Sequence, residues 1–127
     1  MQSEVAIKNI TLIRGDTNTI VFSILGENGE RYIPDDNDQL YFTVKENYFR
    51  TNCILQKKLG KGISFNDSTK EFEIEITSDC TCGLQYCRLV YDIELVIMRD
   101  GKKIVKTLCK GELCIDHEAT HRENEAE

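Results

Sequence analysis

Near the end of the chain, residues 117–121 read His-Glu-Ala-Thr-His and match the H-E-x-x-H signature of zinc proteases. In those enzymes both histidines lie on one helix face and bind the metal, while the glutamate activates water. Such a site needs a helix packed in a core and a third fixed ligand. The residues around His117, Glu118 and His121 form no apolar face, and only acidic tail residues could supply the third ligand. We therefore predict no metal, cofactor or catalytic residue, with a zinc-dependent hydrolase as the alternative hypothesis.

Cysteines could form a second kind of metal site. Structural zinc knuckles usually separate two cysteines by about two to four residues on a turn. Cys80 and Cys82 are closer than this, and Cys109 and Cys114 fall within a strand pattern. The amino-terminal stretch "MQSEVAIKNI" resembles no signal peptide, which predicts synthesis in a reducing cytoplasm. We therefore expect thiols that pack as small apolar side chains.

Two further motifs are better explained as loops. Residues 14–16 read Arg-Gly-Asp, the integrin-binding tripeptide, but their place between two strand patterns is typical of a turn. Asp35, Asp36 and Asp38 lack the ligand spacing and the terminal glutamate of an EF-hand. The sequence predicts a solvated acidic loop there.

Alternation of apolar and polar residues dominates the chain and is typical of strands with one face in a core. In "EFEIEIT", Phe72, Ile74 and Ile76 alternate with glutamates. Asp92 and Glu94 share a strand face, as an acid–base pair can, but exposed strand faces commonly look like this. Asp100-Gly101 predicts a tight hairpin. The other candidate strands are "EVAIKNITLI", "TNTIVFSILG", "QLYFTVKE", "NCILQKK", "CRLVYDIELVIM" and "KKIVKTLCKGELCI".

These patterns predict an all-β protein, an antiparallel β-sandwich of about seven strands. Residues 1–116 would form a single domain, and residues 117–127 a polar acidic tail. The net charge of -6 argues against nucleic acid as a partner. The apolar runs are too short for a membrane span.

Three stretches in this order resemble a known family: "RGDTNTIVFSI", "GLQYCRLVYDIELVI" and "KKIVKTLCKGELCIDHEAT". Together they resemble the immunoglobulin-like N-terminal domain of phage baseplate upper proteins and related prophage tail proteins, over residues 7–120. On this reading Gly111 marks a bulge or a close approach within the last strand.

The resemblance implies an immunoglobulin-like sandwich that is not an enzyme. It implies a structural module that binds other phage tail or baseplate proteins and can form homo-oligomers. Its place would be the virion tail, after synthesis in the host bacterial cytoplasm. The chain lacks the long carboxyl-terminal part of many baseplate proteins and has more cysteine, which favours a small stand-alone tail or prophage accessory protein.

A third hypothesis is a surface or carbohydrate-binding sandwich. An exposed cluster of aromatic side chains would favour it. The candidate residues are Tyr32, Tyr41, Tyr48, Phe49 and Tyr86.

Overall fold

Strands account for most of the described residues, as the alternating pattern predicts. A computed structural model describes residues 9–26, 28–49, 51–81 and 87–116, without the side chain of Cys87. The elements are β1 Ile10–Ile13, β2 Asn18–Phe22, β3 Gln39–Lys45, β4 Leu55–Leu59, β5 Gly62–Asn66, β6 Glu71–Ile76, α1 Ser78–Thr81, β7 Cys87–Arg99 and β8 Lys102–Asp116. The predicted all-β class is confirmed. The predicted tail, residues 117–127, lies outside the described residues.

The strands form one sheet in the order β1-β8-β7-β3-β4-β5-β6-β2. Its two halves, β8-β7-β3 and β5-β6-β2, have the neighbour relations of the two sheets of an immunoglobulin domain. β4 joins these halves, so the described strands form a continuous sheet around a single core.

Two details differ from the predicted seven-stranded antiparallel arrangement. β5 adds an eighth strand, which is only five residues long between two turns and therefore gives a weak pattern. The pairings of β1 with β8 and of β4 with β5 are parallel, whereas the other five are antiparallel. A strand's own alternation reports which face is buried, but it does not report the direction of its neighbour.

The core contains the apolar residue of each alternating pair. Phe72 is fully buried, and its ring centroid lies 4.9 Å from that of Phe65 and 5.5 Å from that of Phe22. On the other half, the rings of Phe42 and Tyr91 lie 5.6 Å apart. The polar residues between these positions therefore point outward and form the surface available to a partner.

The β7–β8 hairpin is the longest feature of the fold. It turns at Asp100 and Gly101, both with positive φ (52° and 74°), as the sequence predicts. Its register shifts where Ile93 pairs with Cys109 and Glu94 with Thr107, so the bulge lies at Leu108. The bulge considered for Gly111 is therefore not found there.

The Arg-Gly-Asp tripeptide forms the turn between β1 and β2. Gly15 has a φ of 84°, and its N–H donates to the Thr81 hydroxyl over 2.8 Å. The Asp16 N–H donates to the Ile13 carbonyl over 3.1 Å. The predicted turn is confirmed, and its anchor is a buried threonine from α1.

Candidate functional site

The outer face of β4, β3, β7 and β8 carries polar side chains around a depression. We define the outer face as the side chains of these strands that point away from the core, together with those of residues 46–49 and 51–54 in the β3–β4 loop. The depression has a volume of about 430 Å³. It is lined by Tyr41, Thr43, Lys45, Thr51, Cys53, Gln56, Asp92, Glu94, Val96, Lys103 and Val105.

Charges of both signs alternate across this face. Asp92 lies opposite Thr43 on one side and Lys110 on the other. Burial raises the pKa of Asp92 above its ordinary range, although the nearby ammonium groups of Lys45 and Lys110 oppose this effect. The predicted juxtaposition of Asp92 and Glu94 on one face is confirmed, and both line the depression.

Tyr48 attaches the β3–β4 loop to the hairpin. Its hydroxyl lies 3.2 Å from the carbonyl oxygens of both Tyr91 and Gly111, so its proton is shared between them. The Lys110 ammonium lies 5.1 Å from the centroid of the Tyr48 ring. Burial, followed by the charge of Asp92, raises the pKa of Tyr48, so the phenol stays a neutral donor. The Tyr48 hydroxyl thus contacts the Gly111 carbonyl, a contact that any residue type could make there, so the close approach predicted at Gly111 stays a prediction.

Phe49, the next residue, is 97% exposed. Its backbone N–H donates to the Asn47 side chain over 3.0 Å, which fixes the turn that carries it. A large aromatic side chain gains hydrophobic free energy when a partner buries it. Because the loop is already attached through Tyr48, little ordering would be needed on binding.

The other aromatic candidates are distributed differently. Tyr32 is buried in the core, and Tyr41 is half-buried on the outer face. Tyr86 lies outside the described residues. From the sequence, Phe49 was only one of several aromatic candidates. The alternating pattern of β3 does not continue into the loop, so it could not assign Phe49 to a buried or an exposed position.

The zinc-protease residues His117, Glu118 and His121 also lie outside the described residues. Within the described ranges, no cluster of three or more His, Cys, Asp or Glu side chains could hold a metal ion. Cys109 pairs with buried Ile93 and Cys114 with exposed Arg88, so the two thiols point to opposite faces of the sheet.

The acidic loop contains a buried residue rather than only solvated ones. The Asp38 side chain is 1% exposed. It accepts hydrogen bonds from the Tyr32 hydroxyl and, over 3.0 Å, from the Asp35 N–H. Arg99 of β7 lies 3.2 Å from Asp38 and 3.4 Å from Asp35. The prediction of a solvated loop is therefore wrong for Asp38, because a distant arginine and a tyrosine compensate its burial.

Cys80 of α1 lies between two polar side chains, those of Lys57 and Thr77. The Lys57 ammonium lies 3.4 Å from its sulfur, and the Thr77 hydroxyl lies 3.3 Å away. Burial alone would raise the pKa of the Cys80 thiol, but the hydrogen bonds from Thr77 and Lys57 outweigh it, and the net pKa is lowered. Gly62 leaves room for the Lys57 stem, which a Cβ there would overlap.

Changing Lys57 to methionine is expected to slow alkylation of Cys80 about threefold at neutral pH, because the thiolate loses its ammonium partner. The measurement is peptide mass spectrometry after timed iodoacetamide treatment. Exposed Cys53 serves as the internal control and keeps its rate. An unchanged Cys80 rate would show that Lys57 does not stabilise the thiolate.

No protein-family model matches this sequence, and no curated protein matches it significantly. Among the described residues, no helix is long and apolar enough to span a membrane.

Proposed function

We propose that the protein is a non-enzymatic docking module of a phage or prophage tail, and that the outer face binds another tail or baseplate protein. The observation that carries this proposal is the nearly complete exposure of Phe49 on an attached loop. The resemblance of three sequence stretches to phage baseplate upper proteins and prophage tail proteins supports a place in a tail. The immunoglobulin-like order of the strands is compatible with it.

The outer face has the components expected of a protein interface. Interfaces combine a few buried aromatic anchors with a polar rim, and the anchors contribute most of the binding free energy. Phe49 would be the anchor, while Lys45, Asp92 and Glu94 would supply hydrogen bonds and charge around it. An open, charged depression suits a protein surface better than a small apolar ligand.

Carbohydrate binding is the second candidate, because Tyr48 and Phe49 are neighbouring exposed aromatics. Sugar rings stack on flat aromatic faces. The Lys110 ammonium lies over the Tyr48 ring, and the Tyr48 hydroxyl is held by backbone carbonyls. This leaves Phe49, which offers no hydrogen-bonding group, and the arrangement therefore favours a protein partner.

The test is to recover the protein with particles purified from an induced host strain that encodes it. We expect the wild-type chain to cosediment with tails and Phe49→Ala to reduce its recovery at least about tenfold, the effect of losing an anchor residue. Ile13→Ala, which truncates an exposed apolar side chain on β1, is the matched control and should leave recovery unchanged. If the wild-type protein stays entirely in the particle-free fraction, the proposed tail function is wrong.

A further inference from the structure

A lysine and a cysteine from different elements meet beside the core. Lys57 of β4 pairs with Phe42, which is fully buried, so the lysine side chain starts on the inward side of the sheet. Its ammonium lies 3.4 Å from the sulfur of Cys80, which packs against the core from α1. A charged group that starts toward a core is unfavourable unless it finds a polar partner. The Cys80 thiol is that partner.

The backbone of β5 leaves space for the lysine to reach the thiol. Gly62 has a φ of 98°, and a Cβ built on it would overlap the Lys57 stem. Any other residue at this position would therefore be strained and would displace the lysine. The contact between Lys57 and Cys80 thus depends on three separate elements, β4, β5 and α1, rather than on one flexible side chain at the surface.

The surroundings of Cys80 favour its oxidation. The thiol is only partly buried, so a small oxidant can reach the sulfur. Hydrogen bonds from Thr77 and Lys57 lower its pKa, and a thiolate reacts with peroxides far more readily than a thiol. The first product is a sulfenic acid, which condenses with a nearby thiol or nitrogen. The nitrogen of Lys57 is already in contact with the sulfur.

We propose that Lys57 and Cys80 form a modification site, in which a peroxide oxidant joins their side chains through a covalent sulfur–nitrogen bond. With hydrogen peroxide, the Cys80 thiolate breaks the O–O bond, the sulfur is oxidised to a sulfenic acid, and hydroxide is released. The hydroxide takes a proton from the Lys57 ammonium and becomes water. The amine then attacks the sulfur, the S–O bond breaks, and the nitrogen proton leaves with the hydroxyl as a second water.

The first step prepares the second one. Oxidation removes the negative charge of the Cys80 thiolate, which had favoured the charged form of Lys57, so the lysine gives up its proton more easily. The resulting sulfenamide ties β4 to α1, at positions 23 residues apart in the chain. Closing such a loop restricts the unfolded chain, as a disulfide does. The cross-link would form after the protein leaves a reducing cytoplasm, whether or not the outer face docks on a tail protein.

Peptide mass spectrometry of the full chain, treated with hydrogen peroxide and then with iodoacetamide, tests the proposal. We expect a linked pair of peptides containing Lys57 and Cys80, with the mass of the two peptides less one pair of hydrogen atoms. Trypsin should no longer cleave after Lys57, and dithiothreitol should restore both free peptides. A Cys80 that remains a thiol, ends as a sulfinic acid beside unmodified Lys57, or pairs with another cysteine overturns the proposal.

Lys57→Arg is the matched variant. The guanidinium keeps the positive charge but stays protonated, so it cannot attack the sulfur. We expect iodoacetamide to alkylate its Cys80 within about twofold of the wild-type rate, while peroxide produces no cross-link. Cys82→Ser removes a neighbouring thiol and should leave the cross-link intact. A link that survives Lys57→Arg, or that Cys82→Ser abolishes, would assign the bond to another group and overturn the proposal. Circular dichroism of both variants checks that the fold is retained.

Discussion

Replacing Phe72 with alanine is expected to lower the free energy of unfolding by about 4 kcal/mol, within the range for deleting a buried aromatic side chain. Phe72 has no exposed surface, and its ring contacts those of Phe22, Phe65 and Tyr32. These rings come from neighbouring strands and the segment after β2, so no single element can move to fill the cavity. The lost contacts and the cavity should therefore both contribute to the loss.

Phe49→Ala is the matched control for this prediction. The substitution is chemically the same, but Phe49 is 97% exposed. Its free energy of unfolding should therefore change by no more than about 0.5 kcal/mol. Urea unfolding followed by circular dichroism measures both variants. If both variants lost the same free energy of unfolding, the core would not be arranged around Phe72. A small loss for Phe49→Ala also ensures that any binding defect of that variant reports the interface rather than the fold.

The sequence alone was sufficient for the core and the faces of the strands. Alternation in "EFEIEIT" correctly placed Phe72, Ile74 and Ile76 inside, because a strand's side chains alternate between faces wherever its neighbours lie. The same rule put Asp92 and Glu94 outside. The hairpin at Asp100-Gly101 was also predictable, because a tight turn that needs positive φ strongly restricts residue type.

Long-range relationships were not predictable in the same way. Arg99 lies 61 residues from Asp38, and no local pattern connects them. The parallel pairing of β1 with β8 joins the two ends of the described chain. β5 was missed because it is short. Phe49 lies in a loop without a period, so its exposure became visible only once Tyr48 was seen to hold that loop against the hairpin.

This difference explains why the candidate site was harder to predict than the fold. The core depends on a repeated local rule, whereas the outer face depends on which strands become neighbours and how the β3–β4 loop lies over them. Tyr48 bonds to β7 and β8, although it follows β3 in the chain. The surface that would meet a partner is therefore a product of the sheet order.

Replacing Asp38 with alanine is expected to lower the free energy of unfolding at neutral pH by about 3 kcal/mol, because its partners lose a buried acceptor. Those partners are the Tyr32 hydroxyl, the Asp35 N–H and the Arg99 guanidinium. Arg99 is partly exposed, so water can solvate it when Asp38 is absent. This limits the loss of free energy of unfolding. Asp36→Ala, in the same loop but exposed, is the matched control and should change stability by no more than about 0.5 kcal/mol.

The same variant should also change how stability depends on pH. Burial alone would raise the pKa of Asp38, but hydrogen bonds from Tyr32, Asp35 and Arg99 outweigh it and lower the pKa in the folded protein. The unfolded chain then takes up a proton near its ordinary pKa, about 4, before the folded protein does. The stabilisation by ionised Asp38 is therefore complete above that pH and is lost as the pH falls through the lower folded value.

Urea unfolding from pH 7 down to about pH 3 tests this dependence. The free energies of unfolding of the wild type and of Asp38→Ala should converge in acid. A difference in free energy of unfolding that stays constant over this pH range would mean that the Asp38 charge does not stabilise the loop.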